Sequence, residues 1–268
     1  MQRVICLLLL SLIVCLGCEW QLKTGDKGSS GREVVVERYD RVESQYLTTG
    51  DFAALQHMNT NYPQQTRTLI EDILQIGRVN DPEINSKFLH FYQDTTLQNL
   101  LADVGREYAN MDDVNSQLET AFCRLETMID GFVRPEVYAQ VSSLDQSVVV
   151  GNGLLGISLD KYMGSDYPLY VKYGYSRDQR RSMTRSYIVP DCIGFYLLSL
   201  FPMPIDRELS QEERDQYIGK IQWVVNKALD NNFFKSANVR RVGDFMHRHK
   251  DITIGQLLRN QYIITSVE

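Results

Sequence analysis

Residues Val148 to Tyr170 read VVVGNGLLGISLDKYMGSDYPLY, the clearest strand signal in the chain. Two short apolar runs, Val148–Val150 and Leu154–Leu159, lie on either side of Gly151-Asn152-Gly153. Runs of this length bounded by turn residues are typical of β-strands, and Asn-Gly favours a tight hairpin, although a bulge within one longer strand is the alternative. With the alternation of Val137, Ala139 and Val141 upstream, the pattern predicts two or three adjoining strands.

Helical patterns flank this stretch on both sides. In chain order the signals are an apolar face from Leu69 ending at Gly77, a Thr95-x-x-Gln98 capping box, a face from Leu118 to Ile129 ending at Gly131, a Ser176-x-x-Gln179 box with a helix to about Tyr187, Pro190 in a first turn, and a Ser210-x-x-Glu213 box. A Val-rich strand at Glu33–Tyr39 precedes them, and a short helix with a final strand at Tyr262–Thr265 follows. The pattern predicts an α+β fold, a small β-sheet flanked by helices in one domain over residues 33–268.

The amino-acid composition of the chain excludes several classes of protein. The 268 residues carry 28 Lys+Arg against 34 Asp+Glu, a formal charge of −6, and 43% of them are hydrophobic. These values are those of an ordinary globular chain and exclude a disordered or multi-span membrane protein. Because nucleic-acid binders usually have a basic excess, no nucleic-acid partner is expected.

The first residues have the form of a secretory signal that ends in a lipidation site. Arg3 precedes an apolar run from Val4 to Leu16, which is too short to span a bilayer. Gly17-Cys18 then resembles a bacterial lipobox, and we expect cleavage after residue 17 and acylation, for example by palmitate, of Cys18. Residues 18–32 read as the lipid anchor and a flexible tether. A plain signal peptide or an uncleaved anchor is the alternative.

Two cysteines remain in the body once Cys6 and Cys15 leave with the signal and Cys18 serves as the anchor. Cys123 and Cys192 both lie in apolar helical patterns, for which a buried free thiol is expected. An oxidising periplasm permits a disulfide between them but does not imply one.

Two stretches taken together resemble the GldB family of lipoproteins, which are associated with gliding motility in Bacteroidota. The first is Val36-Glu37-Arg38-Tyr39-Asp40-Arg41, and the second is Val148–Tyr170 followed by YIVPD at Tyr187–Asp191. The family likewise places an apolar strand that ends in Leu-Asp-x-Tyr-hydrophobic-Gly before a Tyr-Pro segment and a helix. The resemblance covers most of the chain in order and spacing, including the start with its lipidation site.

The resemblance implies a zincin-like arrangement, since the family is similar to zinc-dependent peptidases. In those relatives the helix after the strands carries His-Glu-x-x-His, which holds the metal. The corresponding helix here reads PDCIGFYLLSLF, without a histidine, so we expect no metal site, no cofactor and no peptidase activity.

Other motifs are weak. Only four histidines are present, and His247-x-His249 in the basic run from Arg240 to Lys250 favours two exposed side chains over a metal site. Gly151–Gly156 has the form GxGxxG, but no helix follows it as a dinucleotide site requires.

Two acidic residues near the family motifs are candidates for a polar site between strand and helix. Asp160 follows the strand and Asp191 lies in the first turn of the next helix. The structural interpretation is favoured, in which Asp160 ends the strand and Asp191 complements the helix dipole.

Five tyrosines lie within the fourteen residues Tyr162–Tyr175. Tyrosine combines a large contact area with a polar tip, which suits partner recognition, although packing over the core would produce part of the same pattern. The candidate partner-binding residues are Tyr162, Tyr167, Tyr170, Tyr173, Tyr175, Arg177 and Arg181.

The sequence and the resemblance together predict a non-enzymatic envelope lipoprotein. It would be anchored through Cys18, face the periplasm, reside in the outer membrane, and support a motility or surface-secretion apparatus by contacting envelope proteins. The alternatives are a hydrolase that uses Asp160, Asp191 and a distant histidine, or a lipoprotein that binds a small ligand in the former peptidase cleft.

Overall fold

Helices build the first part of the fold. The computed structural model describes residues 33–204 and 208–259, and one compact unit begins at Val34. The first helices are α1 (Tyr39–Thr49), α2 (Phe52–Asn61), α3 (Pro63–Arg67) continued by a π-helix (Thr68–Ile73), α4 (Ile84–Phe91), α5 (Thr95–Glu107) and α6 (Asp112–Met128). The helix with the Leu69 face therefore ends before Gly77, as a π-helix. On α6 the predicted apolar face is buried through Leu118, Phe122 and Leu125.

Three strands follow, as predicted: β1 (Glu136–Gln140), β2 (Val148–Gly151) and β3 (Leu154–Ser158). β3 lies in the centre, parallel to β1 and antiparallel to β2. Asn152 and Gly153 both have positive φ, of 52° and 76°, as a two-residue type I′ turn requires. The hairpin prediction is confirmed, and the GxGxxG match lies in this hairpin rather than before a helix.

The remaining elements pack after the sheet. They are a 3₁₀ turn (Leu159–Tyr162), α7 (Pro168–Lys172), α8 (Arg177–Arg180), a second 3₁₀ turn (Arg185–Tyr187), α9 (Ile188–Leu200), α10 (Gln211–Leu229), α11 (Ala237–Arg248) and α12 (Ile254–Arg259). Both capping boxes predicted here, at Ser176 and Ser210, are formed. The helix after Ser176 ends at Arg180, however, well short of Tyr187. The architecture is the predicted α+β fold.

Some local predictions are wrong. Residues 33–39 form no strand, because only Glu37 bridges to Tyr138 and α1 already begins at Tyr39, whose ring is fully buried. The capping residue of α5 is Asp94 rather than Thr95, since its carboxylate accepts the Thr96 amide at 2.8 Å.

Cys123 is exposed on α6, whereas Cys192 is buried as predicted, and both thiols are free. The Cys123 side chain lies beside the core stripe of α6 rather than within it. The predicted final strand, the signal, Cys18 and the tether lie outside the described residues.

Candidate functional site

A buried carboxylate holds the loop that follows β1. Asp160 lies in the 3₁₀ turn directly after β3 and is fully buried. Its Oδ1 accepts the Ser142 amide at 2.9 Å, and its Oδ2 accepts the Leu144 amide at 2.5 Å. Burial raises the pKa of the Asp160 carboxyl, and the two backbone donors oppose that rise. The side chain is thus an internal acceptor for two amides of one loop.

That loop has an unusual backbone. Ser143 and Leu144 have φ angles of 56° and 65°, in the left-handed region that non-glycine residues seldom adopt. The Leu144 carbonyl accepts the Tyr175 hydroxyl at 2.7 Å and the Lys161 ammonium at 3.1 Å. Because both its amide and its carbonyl are bonded, the strained residue Leu144 has one defined position.

Asp191 serves a different part of the chain. It lies in the first turn of α9, where its Oδ2 accepts the Tyr162 hydroxyl at 2.9 Å. Burial raises the pKa of the Asp191 carboxyl to about 6, and the bond from Tyr162 opposes the rise. Within the described residues no hydrogen bond joins Asp160 to Asp191, so the structure does not unite them in one polar pair.

A further buried carboxyl, that of Glu43, was missed by sequence reasoning. It is fully buried on α1, where its Oε2 accepts the Val141 amide at 3.0 Å. Burial, followed by the negative charges of Asp160 and Asp40, raises its pKa well above the ordinary value. A signal was present, since the helical spacing of Tyr39, Glu43 and Leu47 puts a carboxyl on an apolar stripe.

The tyrosine-rich segment divides into inner and outer side chains. Tyr162 and Tyr170 are core residues, with exposures of 2% and 0%. The Tyr170 hydroxyl donates to the Asp160 carbonyl at 2.7 Å and accepts the Met163 amide at 2.8 Å. Contrary to the prediction, Tyr162 and Tyr170 are not available to a partner, because they are buried and their hydroxyl groups satisfy internal polar groups.

The outer side chains border two adjoining clefts. Tyr173 is 54% exposed, and its neighbour Val171 on α7 is 58% exposed. One cleft, of about 310 Å³, is lined by Leu97, Leu100, Ser143, Leu144, Leu169, Tyr173 and Tyr175. The other, of about 320 Å³, is lined by Thr96, Asn99, Asp103, Tyr167, Pro168, Leu169 and Lys172. Tyr167 and Tyr175 are half-buried, and Arg177 and Arg181 are exposed on the segment that follows. We call Tyr167, Val171, Tyr173, Tyr175, Arg177 and Arg181 the tyrosine surface.

A family model described as gliding motility protein GldB matches residues 25–233. The chain belongs to the GldB family. No curated protein and no solved structure matches it. The matched residues include the whole of the tyrosine surface, Asp160 and Asp191, and they end in the linker between α10 and α11. The family predicted from the two sequence stretches is confirmed, and a zincin-like arrangement stays a prediction.

The histidines of this GldB-family chain are dispersed. His247 and His249 are exposed at the end of α11, and the His57 ring packs against Tyr62 with centroids 5.5 Å apart. Over residues 33–204 and 208–259, no three His, Cys, Asp or Glu side chains are grouped so that they could hold a metal ion. Among those same residues, every helix is too short or too polar to cross a bilayer.

Proposed function

We propose that this chain is a non-enzymatic lipoprotein of the cell envelope that supports a gliding-motility or surface-secretion apparatus through protein–protein contacts. Membership of the GldB family supports a gliding-motility-related lipoprotein. In this proposal lipid on Cys18 anchors the chain, facing the periplasm from the outer membrane, and the tyrosine surface binds a partner protein.

The observation that carries the proposal is the position of α7. Val171 on this short helix and Tyr173 directly after it are both exposed, and Tyr173 lines one of the two clefts. Tyrosine and arginine, the residue types of Tyr173 and of the exposed Arg177 that follows it in the chain, are enriched in binding hot spots. The cleft wall at Leu144 is held by Asp160, Lys161 and Tyr175, so that binding need not order it.

The positions of the acidic residues support a non-enzymatic role. Both carboxylate oxygens of Asp160 accept backbone amides, and the side chain has no exposed surface. The Asp191 carboxylate accepts a hydrogen bond from the Tyr162 hydroxyl. A general acid or base must reach its substrate within hydrogen-bond distance, which the fully buried Asp160 cannot do.

Affinity capture of the full chain from envelopes tests the partner contact. We expect a specific partner to be retained by the parent chain and lost with a Tyr173→Ala/Arg177→Ala variant. Phe52→Ala is the control, because Phe52 on α2 is 67% exposed and lies outside the tyrosine surface. Equal recovery of the same partner by both variants would contradict the proposed surface.

Two further measurements test the anchor and the absence of catalysis. Labelling with a palmitate analogue should mark the parent chain and not a Cys18→Ala variant. Metal analysis of the full chain should give no stoichiometric zinc, and added zinc should leave its melting temperature unchanged. Label on the variant would refute lipidation at Cys18, and one zinc per chain would refute the non-enzymatic role.

A further inference from the structure

The segment around α11 is basic, whereas the chain as a whole is acidic. Residues 235–250 carry five cationic side chains and a single carboxylate, whereas the whole chain has a formal charge of −6. The cations are Lys235, Arg240, Arg241, Arg248 and Lys250, and the carboxylate is Asp244. All six side chains are exposed. The protein, although acidic overall, therefore has a strongly basic area on its surface.

Within residues 33–204 and 208–259, the guanidinium groups of this area form no ion pair with an acidic side chain. Arg240 donates to the Lys235 carbonyl at 2.7 Å, Arg241 to the Asn238 side chain at 3.2 Å, and Arg248 to the Asp244 carbonyl at 3.3 Å. In the described part of the chain none of the three forms an ion pair, whereas Arg185 is paired with Asp113 at 2.6 Å. Each guanidinium keeps most of its donors free for an external anion.

The opposite side of α11 fixes the orientation of these groups. Val239 and Val242 are buried, and a Cβ atom on Gly219 of α10 would lie 2.6 Å from the Asn238 Cβ. Because α10 and α11 approach each other so closely, α11 has no room to rotate about its axis. The cationic side chains of α11 are therefore presented outward by a packed scaffold.

An indole and a further cation border the same helix. A Cβ atom on Gly243 would lie 3.2 Å from the Trp223 Nε1, which places this half-buried ring against α11. The Lys227 ammonium lies 5.2 Å from the centre of the Trp223 ring. Lysine and arginine together with tryptophan are the side chains that proteins place at the interface between a membrane and water.

We propose that this basic face, formed by Lys227, Lys235, Arg240, Arg241, Arg248 and Lys250 with Trp223 at its edge, docks on a bilayer surface of anionic phospholipid headgroups. Cations attract such a surface over about a Debye length, and the indole enters its headgroup region. The inference rests on the proposed anchor, because the fifteen residues between Cys18 and Val34 keep the body within about 50 Å of a bilayer. The basic face would then add an electrostatic contact with the membrane to the contact that the lipid makes.

Quenching of Trp223 tests the docking. The full-length chain with Trp20→Phe retains Trp223 as its only tryptophan. It is reconstituted into vesicles of brominated phosphatidylcholine, alone or in equimolar mixture with brominated phosphatidylglycerol. We expect stronger quenching in the anionic vesicles, and its loss when salt is raised from about 0.1 M to about 1 M, since the Debye length falls from about 10 Å to about 3 Å.

Matched charge variants separate this face from general attraction. Arg240→Gln/Arg241→Gln/Arg248→Gln should lose the extra quenching. Arg67→Gln/Arg78→Gln/Arg106→Gln should retain it, because these three exposed arginines lie outside the basic face and the net charge changes equally. Circular dichroism verifies that both variants are folded.

Flotation of the same samples distinguishes a failure of the lipid anchor from a failure of the docking. A chain that floats with both kinds of vesicle but shows equal quenching would overturn the docking, leave the anchor intact and favour an acidic protein as the partner of this face. A chain that floats only with anionic vesicles would support the docking and contradict the anchor. A chain that floats with neither would overturn both.

Discussion

The inner and outer tyrosines of residues 162–175 are the same residue type within one short segment, yet they have opposite environments. The hydroxyl groups of Tyr162 and Tyr170 bond Asp191 and the Asp160 carbonyl inside the protein. Tyr173 leaves half of its surface in solvent beside a cleft. The inner tyrosines stabilise the fold, and the outer tyrosines lie on the surface of that fold. Changes to the inner set should therefore alter stability, and changes to the outer set should alter binding.

The largest effect on stability is expected beneath the segment, at Asp160. Asp160→Ala leaves the buried amides of Ser142 and Leu144 without an acceptor, and each lost bond costs about 1–3 kcal/mol. We expect the free energy of unfolding, measured by urea denaturation, to fall by about 4 kcal/mol. Asp166→Ala is the control, since its side chain is 98% exposed and should change stability by under about 0.5 kcal/mol. Equal effects would contradict the inner role of Asp160.

The next effect is a dependence of stability on pH through Asp191. Its folded-state pKa of about 6 lies above the ordinary value of 3.8, so the folded protein binds the proton more tightly than the unfolded chain. The stability from this group is complete below about pH 4 and is lost as pH rises through about 6, by up to about 3 kcal/mol. Asp191→Asn should flatten that part of the stability profile. If the Asp191→Asn variant keeps the slope of the parent protein, burial of Asp191 does not determine this dependence of stability on pH.

A matched pair of hydroxyl deletions tests the division between inner and outer tyrosines. Tyr170→Phe removes one acceptor and one donor from buried backbone groups, and we expect a loss of about 2 kcal/mol. Tyr173→Phe should change the free energy of unfolding by less than about 0.5 kcal/mol, because the Tyr173 side chain is half exposed. Thermal unfolding of the two variants measures both values. Similar losses in the two variants would contradict the division into inner and outer tyrosines.

The smallest effect is expected in the cleft wall. Ser143→Gly removes the strain of a φ of 56°, and we expect a gain of about 0.5 kcal/mol once the greater flexibility of the unfolded chain is subtracted. The same change at Ser86 within α4 should destabilise by about 0.5 kcal/mol, because glycine is the poorer helix former there. Urea midpoints distinguish the two signs. A loss at Ser143 would mean that the loop is not strained.

Local signals explain how much of the fold could be predicted. The Asn152-Gly153 turn and the boxes at Ser176 and Ser210 depend on residues within three or four positions of one another, and all of them are formed. The strand predicted at Glu33–Tyr39 does not form, because a helix begins at Tyr39. The ring of Tyr39 is buried against Tyr138, a contact with a distant part of the chain.

The candidate site depended more on distant contacts. Asp160 holds amides 16 and 18 positions earlier in the chain, and Glu43 accepts an amide 98 positions later. The pattern of tyrosines indicated a special segment, but it could not separate Tyr170 from Tyr173, which are only one helical turn apart. That difference arises from the 3₁₀ turn after β3, where the Asp160 carbonyl accepts the Tyr170 hydroxyl, and no local spacing encodes it.

Site-specific photo-crosslinking in living cells tests whether the tyrosine surface binds a partner protein. A photoreactive amino acid replaces Tyr173 in the lipidated full-length chain, and a matched protein carries it at Phe52, which is also exposed. We expect a discrete crosslinked envelope protein from position 173 and none from position 52. No adduct at position 173, or the same adduct from both positions, would contradict binding through the tyrosine surface.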